Sequence, residues 1–137
     1  MIQSSEDLTA YLTRLERRFE RLENGTFVLT MGANRPLVAL RLEPPLLVVR
    51  VEMGRAPAEA ESSQPLFKRL LELNVSSLLH AAYGLQNGNV VLSAALPLES
   101  LDLAELEGVL ADVDLAVAEH VPALSELLHR AHDASAS

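Results

Sequence analysis

The chain contains no cysteine. Disulfides, thiolate nucleophiles and cysteine-ligated zinc are therefore excluded together. No apolar run approaches the ~20 residues of a membrane span. The start, MIQSSEDLTAYL, has neither the basic n-region nor the apolar h-region of a signal peptide, and a cytoplasmic location with no membrane association is expected. Glycines 25, 32, 54, 84, 88 and 108 are scattered and form no phosphate-cradling loop. The serines lack a nucleophile-elbow context. No cofactor and no enzyme activity are expected. Lysine is nearly absent, with arginine ten times as frequent, a bias that fits a GC-rich bacterial genome.

What is present is enough for one domain. Of 137 residues, 49% are hydrophobic, which supplies a real core and argues against disorder. The charge is unevenly placed. Residues 1–93 balance, so the net charge of −8 sits entirely in the last third, where nine acidic residues face only Arg130. Such a surface repels phosphate backbones, so direct nucleic-acid binding is not expected. It suits either plain solubility or a basic protein partner.

Ser4 can cap a first helix from about Ser5 to Glu23, with Asp7 in its first turn. Leu8, Tyr11, Leu12, Leu15, Phe19 and Leu22 carry its apolar stripe, and Asn24-Gly25 supplies the stop. Alternation predicts three strands at 26–31, 36–42 and 46–53, joined by short turns in an antiparallel meander. Residues 54–63 read as a loop of small and acidic residues. Ser63 and Pro65 open a second helix that ends near Asn74–Ser77. Asn87-Gly88 between the apolar runs 80–85 and 89–96 is a strong hairpin signal. A long helix follows from Leu101 to about His120, and Pro122 is expected to kink or restart it. The reading is an α+β domain of order αβββαββα over residues 1–132, with a frayed tail at 133–137.

The stretch LFKRLLELN, residues 66–74, is apolar over a wider arc than one core requires. At ~100° per residue, Leu66, Phe67, Leu70, Leu71 and Leu73 span roughly 160°, against ~100° for a surface helix. Either a thick core or a second copy of the chain would use the extra width. Among histidines, His129 and His132 stand at i,i+3, and a metal site would need His120 or Asp133 as a further ligand. Surface histidines are the simpler reading, and no metal is expected. The sequons at Asn24 and Asn74 have no meaning without secretion.

Residues 66–124 carry a more specific signal. Leu70-Leu71-Glu72-Leu73-Asn74 closes a leucine-rich helix. A small apolar strand follows at Ala81–Leu85, then Asn87-Gly88, Val90–Ser93 and Leu96-Pro97-Leu98 ahead of a long acidic helix. This run resembles class I type III secretion chaperones of the CesT/Tir-chaperone type and the related YbjN-like proteins. The resemblance implies the same fold, a non-enzymatic protein and a homodimer built around the second helix and the strands after it. It places Leu66, Phe67, Leu70, Leu71, Asn74, Leu78 and Tyr83 in the dimer interface. Either Leu66, Leu70 and Leu73 face the sheet while Phe67 and Leu71 meet the other protomer, or the reverse.

The resemblance also implies binding of an extended client segment, with Leu12, Leu15, Phe19, Val38, Leu40 and Val48 as contacts. The YbjN-like group, linked to stress response, is the preferred assignment, with a basic, nucleic-acid-handling protein as the kind of partner the acidic helix would steer. A dedicated type III secretion chaperone binding an effector N-terminal segment, and a small-ligand or metal-binding regulator, are the alternatives.

Overall fold

A computed structural model describes residues 2–30, 32 and 35–136, the stretch 129–136 by backbone alone. The elements run α1 (Ser5–Arg14), β1 (Phe19–Arg21), β2 (Phe27–Leu29), β3 (Val38–Glu43), β4 (Leu46–Arg55), α2 (Ala60–Ser76), β5 (Ala82–Gln86), β6 (Asn89–Pro97) and α3 (Leu103–Ala136), with a 3-10 turn at Leu98–Ser100. The six strands form one antiparallel sheet in the order β1-β2-β3-β4-β6-β5. The class is α+β, as the sequence predicts, with one strand more.

The extra strand comes from the segment expected to be the end of the first helix. Ser4 caps α1 through a full capping box with Asp7. The helix stops at Arg14 because Glu16 turns left-handed, at φ +57°. The Glu16 N–H donates to the Thr13 carbonyl and the Arg17 N–H to the Leu12 carbonyl, both at 3.0 Å. That is a Schellman termination with glutamate where glycine is usual, so nothing in the local composition announces it. Freed from the helix, Phe19–Arg21 pairs with β2, and Asn24-Gly25 becomes the turn of that hairpin.

Two other boundaries move. Residues 54–63 are mostly regular structure: β4 extends to Arg55 through a bulge at Glu52/Gly54, and α2 begins at Ala60. Ser63 does not cap α2. It lies buried within the helix, its hydroxyl donating to the Ala60 carbonyl at 3.2 Å. Pro122 neither ends nor restarts α3, whose turns on either side are held by the buried Val117 and Leu124. Asp102 starts this helix, its carboxylate accepting from the Glu105 N–H at 2.7 Å.

Register places most of the buried apolar strand residues on one side, with Val91 a buried exception on the other. Phe27, Leu29, Val38, Leu40, Leu47, Val49, Val51, Val90, Leu92 and Ala94 share a face and are buried. Leu8 and Leu12 of α1, Leu66, Leu70 and Leu73 of α2, and Leu106, Leu110, Val113 and Val117 of α3 close over it in a single core. The opposite face carries Ala39, Arg41, Val48, Arg50, Glu52, Ser93 and Ala95. It is not covered by helices, and its arginines and Glu52 are exposed.

The Glu16→Gly variant removes a left-handed non-glycine residue at some cost in unfolded-chain entropy. It should raise the unfolding free energy by about 0.5–1 kcal/mol, read as a rightward shift of a urea melt. An unchanged or lowered midpoint would show that Glu16 is not strained.

Candidate functional site

The structure resolves the two faces of α2. Leu66, Leu70 and Leu73 point into the core of their own chain, and Phe67 is packed against its margin. Leu71 is 67% exposed, and Val75, one turn on, is 89% exposed. Leu79, four residues further and past the helix end, is 86% exposed. A single surface leucine is ordinary. Three large apolar side chains at successive four-residue steps make a row with no cover among the described residues. Of the residues expected at a dimer interface, Leu66, Leu70 and Tyr83 are therefore core residues, Phe67 and Leu78 are half-buried, and only Leu71 is well exposed. Val75 and Leu79 were not anticipated from periodicity, because the apolar arc counted in 66–74 stops before them.

Asn74 has a different role from an interface contact. Its side-chain oxygen accepts from the Tyr83 N–H at 2.7 Å, and its amide donates to the Tyr83 carbonyl at 3.2 Å. Tyr83 lies on the edge strand β5, so this one amide occupies outward backbone groups that another strand would otherwise pair with. The Tyr83 hydroxyl lies 2.7 Å from His120 Nδ1 on α3, both side chains buried. Asn74, Tyr83 and His120 thus tie α2, β5 and α3 together. Nearby, the His80 N–H donates to Asp112 at 3.0 Å and binds the segment after α2 to α3.

The sheet's other edge is β1. Thr30 N–H donates to the Arg18 carbonyl and Leu22 N–H to the Thr26 carbonyl, at 3.2 and 2.8 Å. By antiparallel alternation, the main-chain groups of Phe19 and Arg21 between them turn away from β2. Leu15 and Phe19 are half-buried beside this edge. Phe19 leans on Phe27 with ring centroids 5.8 Å apart, and the Arg21 guanidinium lies 5.5 Å above the same Phe27 ring. Of the expected client contacts, Leu12, Val38 and Leu40 have no exposed surface and belong to the core. They lie on the helix-covered side of the sheet, which strand alternation alone cannot tell from the open one. Val48 is on the open face, half-exposed.

His129, His132 and Asp133 lie outside the described side chains, and His120 is committed to Tyr83. Among the described residues no three His, Asp or Glu side chains are grouped to hold a metal ion, and no helix is long and apolar enough to cross a membrane.

The CesT_Tir_1 family model matches residues 1–130. The chain belongs to that family. No curated protein matches the sequence. Among solved structures, the fold is similar to a chain of the heterodimeric ExoU–SpcU complex from the type III secretion system of Pseudomonas aeruginosa, at 21% identity. The match covers 87% of this chain and 95% of that one, with a TM-score of 0.63. It is similar to YbjN from E. coli at 16% identity, covering 88% and 92%, with a TM-score of 0.65. It is similar also to the Yersinia pestis type III secretion chaperone SycH in complex with a fragment of YscM2, at 20% identity, covering 82% and 98%, with a TM-score of 0.54. The type III secretion chaperone fold expected from residues 66–124 thus extends over nearly the whole chain.

Within this family fold, the buried Tyr83–His120 contact is sensitive to protons. Burial, with Arg69 adding to it, lowers the His120 pKa from its ordinary 6.5, against the upward pull of Glu119 and Asp112. Burial also raises the Tyr83 pKa. In the tautomer protonated at Nε2, neutral His120 accepts at Nδ1 from the Tyr83 hydroxyl, and a proton on Nδ1 removes that acceptor. Since the folded state takes up this proton at lower pH than the unfolded chain, the stabilisation is complete above about 6.5 and is lost as pH falls below it. The thermal midpoint should therefore drop between pH 7 and pH 5, and drop less in Tyr83→Phe/His120→Leu, which removes both polar partners. Equal slopes in the two proteins would show that His120 does not titrate differently on folding.

Proposed function

We propose that the protein is a non-enzymatic, homodimeric chaperone-like adaptor that holds an extended segment of a client protein. The unpaired edge of β1, flanked by the half-buried Leu15 and Phe19, carries the reading. An extended chain laid there would gain main-chain hydrogen bonds to Phe19 and Arg21 and set apolar side chains against Leu15 and Phe19. ExoU–SpcU and the HopA1–SchA chaperone–effector complex contain chains similar to this fold together with another protein, and support the same reading.

Self-association uses the opposite edge. Leu71, Val75 and Leu79 form an apolar row, and burying two such side chains per subunit contributes ~1.5–3 kcal/mol each. The acidic side chains of α3, among them Glu105, Glu107, Glu119 and Glu126, are exposed and favour a client that is basic overall. That charge suits a partner that handles nucleic acid, and the stress-response role comes with the YbjN-like resemblance rather than with the charge. An effector segment secreted by a type III system is the second reading, favoured by the names of the similar complexes.

Light scattering should give twice the 14.9 kDa chain mass for the wild type and the single mass for Leu71→Glu/Val75→Glu. A monomeric wild type would sink the dimer. A client recovered by affinity capture should slow hydrogen exchange at the amides of Phe19 and Arg21. Protection elsewhere with none at β1 would move the client site.

A further inference from the structure

Beside the β1 edge lies a cleft of about 500 Å³, lined by Glu16, Arg17, Arg18, Thr30, Gly32, Arg35 and Asp114. Three guanidinium groups in one cleft are unusual in a chain of net charge −8. They arrive there from separate parts of the sequence. The left-handed turn at Glu16 throws Arg17 and Arg18 out of the end of α1. The hydrogen bond from Thr30 N–H to the Arg18 carbonyl fixes Arg18 against the end of β2. Asp114 rises from α3 to grip Arg17 with both oxygens, at 2.7 and 3.3 Å. This pairing holds one wall of the cleft and neutralises Asp114. Among the described residues Arg18 and Arg35 have no ion pair, and the Thr30 hydroxyl adds a further donor.

We propose that this cleft is a carboxylate site, which takes an acidic side chain of the segment bound along β1. Two unpaired guanidinium forks are planar donors and the hydroxyl is a rotatable one, a set that suits an oxyanion and offers nothing to a cation beyond Glu16. The count of charge selects which oxyanion. Three arginines against Glu16 and Asp114 leave the lining one positive charge, enough for a single carboxylate. A phosphate near two negative charges would be left undercompensated beside Glu16 in a protein of net −8. The inference rests on the client reading only for the source of the carboxylate. It gives that reading a sequence rule: a client segment with one acidic residue near the end of its β1-paired stretch, within a segment basic enough to approach α3.

The test contains no client, so its failure leaves the client reading standing. The full chain, labelled with nitrogen-15, is titrated with glutamate blocked at both its amino and α-carboxyl groups, following the arginine Nε–H signals. Arg18 and Arg35 should shift with a common saturating curve, while Arg41 and Arg50 on the open sheet face should not. Arg18→Gln and Arg35→Gln should each weaken the fitted affinity by about tenfold with the backbone spectrum unchanged. Shifts that never saturate, or that are equal at Arg41 and Arg50, would overturn the proposal. So would a response to inorganic phosphate with none to blocked glutamate.

Discussion

The pairing of β4 with β6 governs the rest of the molecule. It is the longest ladder in the sheet, from Leu46↔Pro97 to Arg55↔Asn89, and it joins strands that are not consecutive. Because β6 takes the place beside β4, β5 must lie outside it and run parallel to β4. A following strand that runs parallel to β4 in the same sheet needs a crossover rather than a hairpin, and α2 is that crossover. The helix is thus obliged to pass over the sheet with Leu66, Leu70 and Leu73 downward. Phe67 reaches the margin of the core, and the apolar width beyond it, Leu71 and then Val75, faces away. The exposure of Leu71 and Val75 follows from topology together with an arc too wide for one core.

A crossover helix that delivers a short edge strand has a weak point at its far end, where neither element has many partners. The buried trio answers it. Asn74 acts as a one-residue strand against Tyr83, and the Tyr83 hydroxyl reaches His120 on α3. The Asn74 amide, the Tyr83 main chain and hydroxyl, and His120 Nδ1 are all paired, and no buried side-chain polar atom among the described residues lacks a partner. Satisfied polar contacts of this kind specify register more than they add net stability. A slip of β5 by one residue would bury Ala82 and Gly84 instead of Tyr83 and leave His120 without its hydroxyl.

Most of this was legible where a residue type leaves only one backbone conformation open. Asn87 and Gly88 both have positive φ and make the β5–β6 hairpin as read from their spelling. Ser4 and Asp7 make the capping box at α1. The strand alternations of β2–β4 put the right residues on a common face. The reading failed where conformation was imposed from a distance. Glu16 is left-handed although glutamate does not favour it, and the helical stripe of Leu15, Phe19 and Leu22 therefore ran past the true stop. The stripe and the strand pattern overlap there, since Phe19 is at helical spacing from Leu12 and also alternates with Arg21 in β1. The exposed apolar residues of α2 were legible only as an excess of apolar width. Which side of that arc faces outward is decided by the strand order, and no local pattern encodes it.

The sheet's two ends expose different chemistry and stand well apart. Between β1 and β5 lie five strand spacings, about 24 Å at ~4.8 Å each. At the β5 end, Asn74 occupies the edge backbone of Tyr83, and the apolar row of Leu71, Val75 and Leu79 lies on side chains instead. At the β1 end the main chain of Phe19 and Arg21 is open and apolar side chains are only half available. One end therefore favours association through side-chain packing and the other through strand addition. Two chains joined at the first would leave both β1 edges outward and unobstructed, so dimerisation and client binding need not compete for surface. Conversely, a client strand could settle at β5 only by displacing Asn74, whose amide would lose both of its partners on Tyr83. The asymmetry of the edges, set by one asparagine and one left-handed glutamate, is what gives a small single-sheet domain two chemically distinguishable ends.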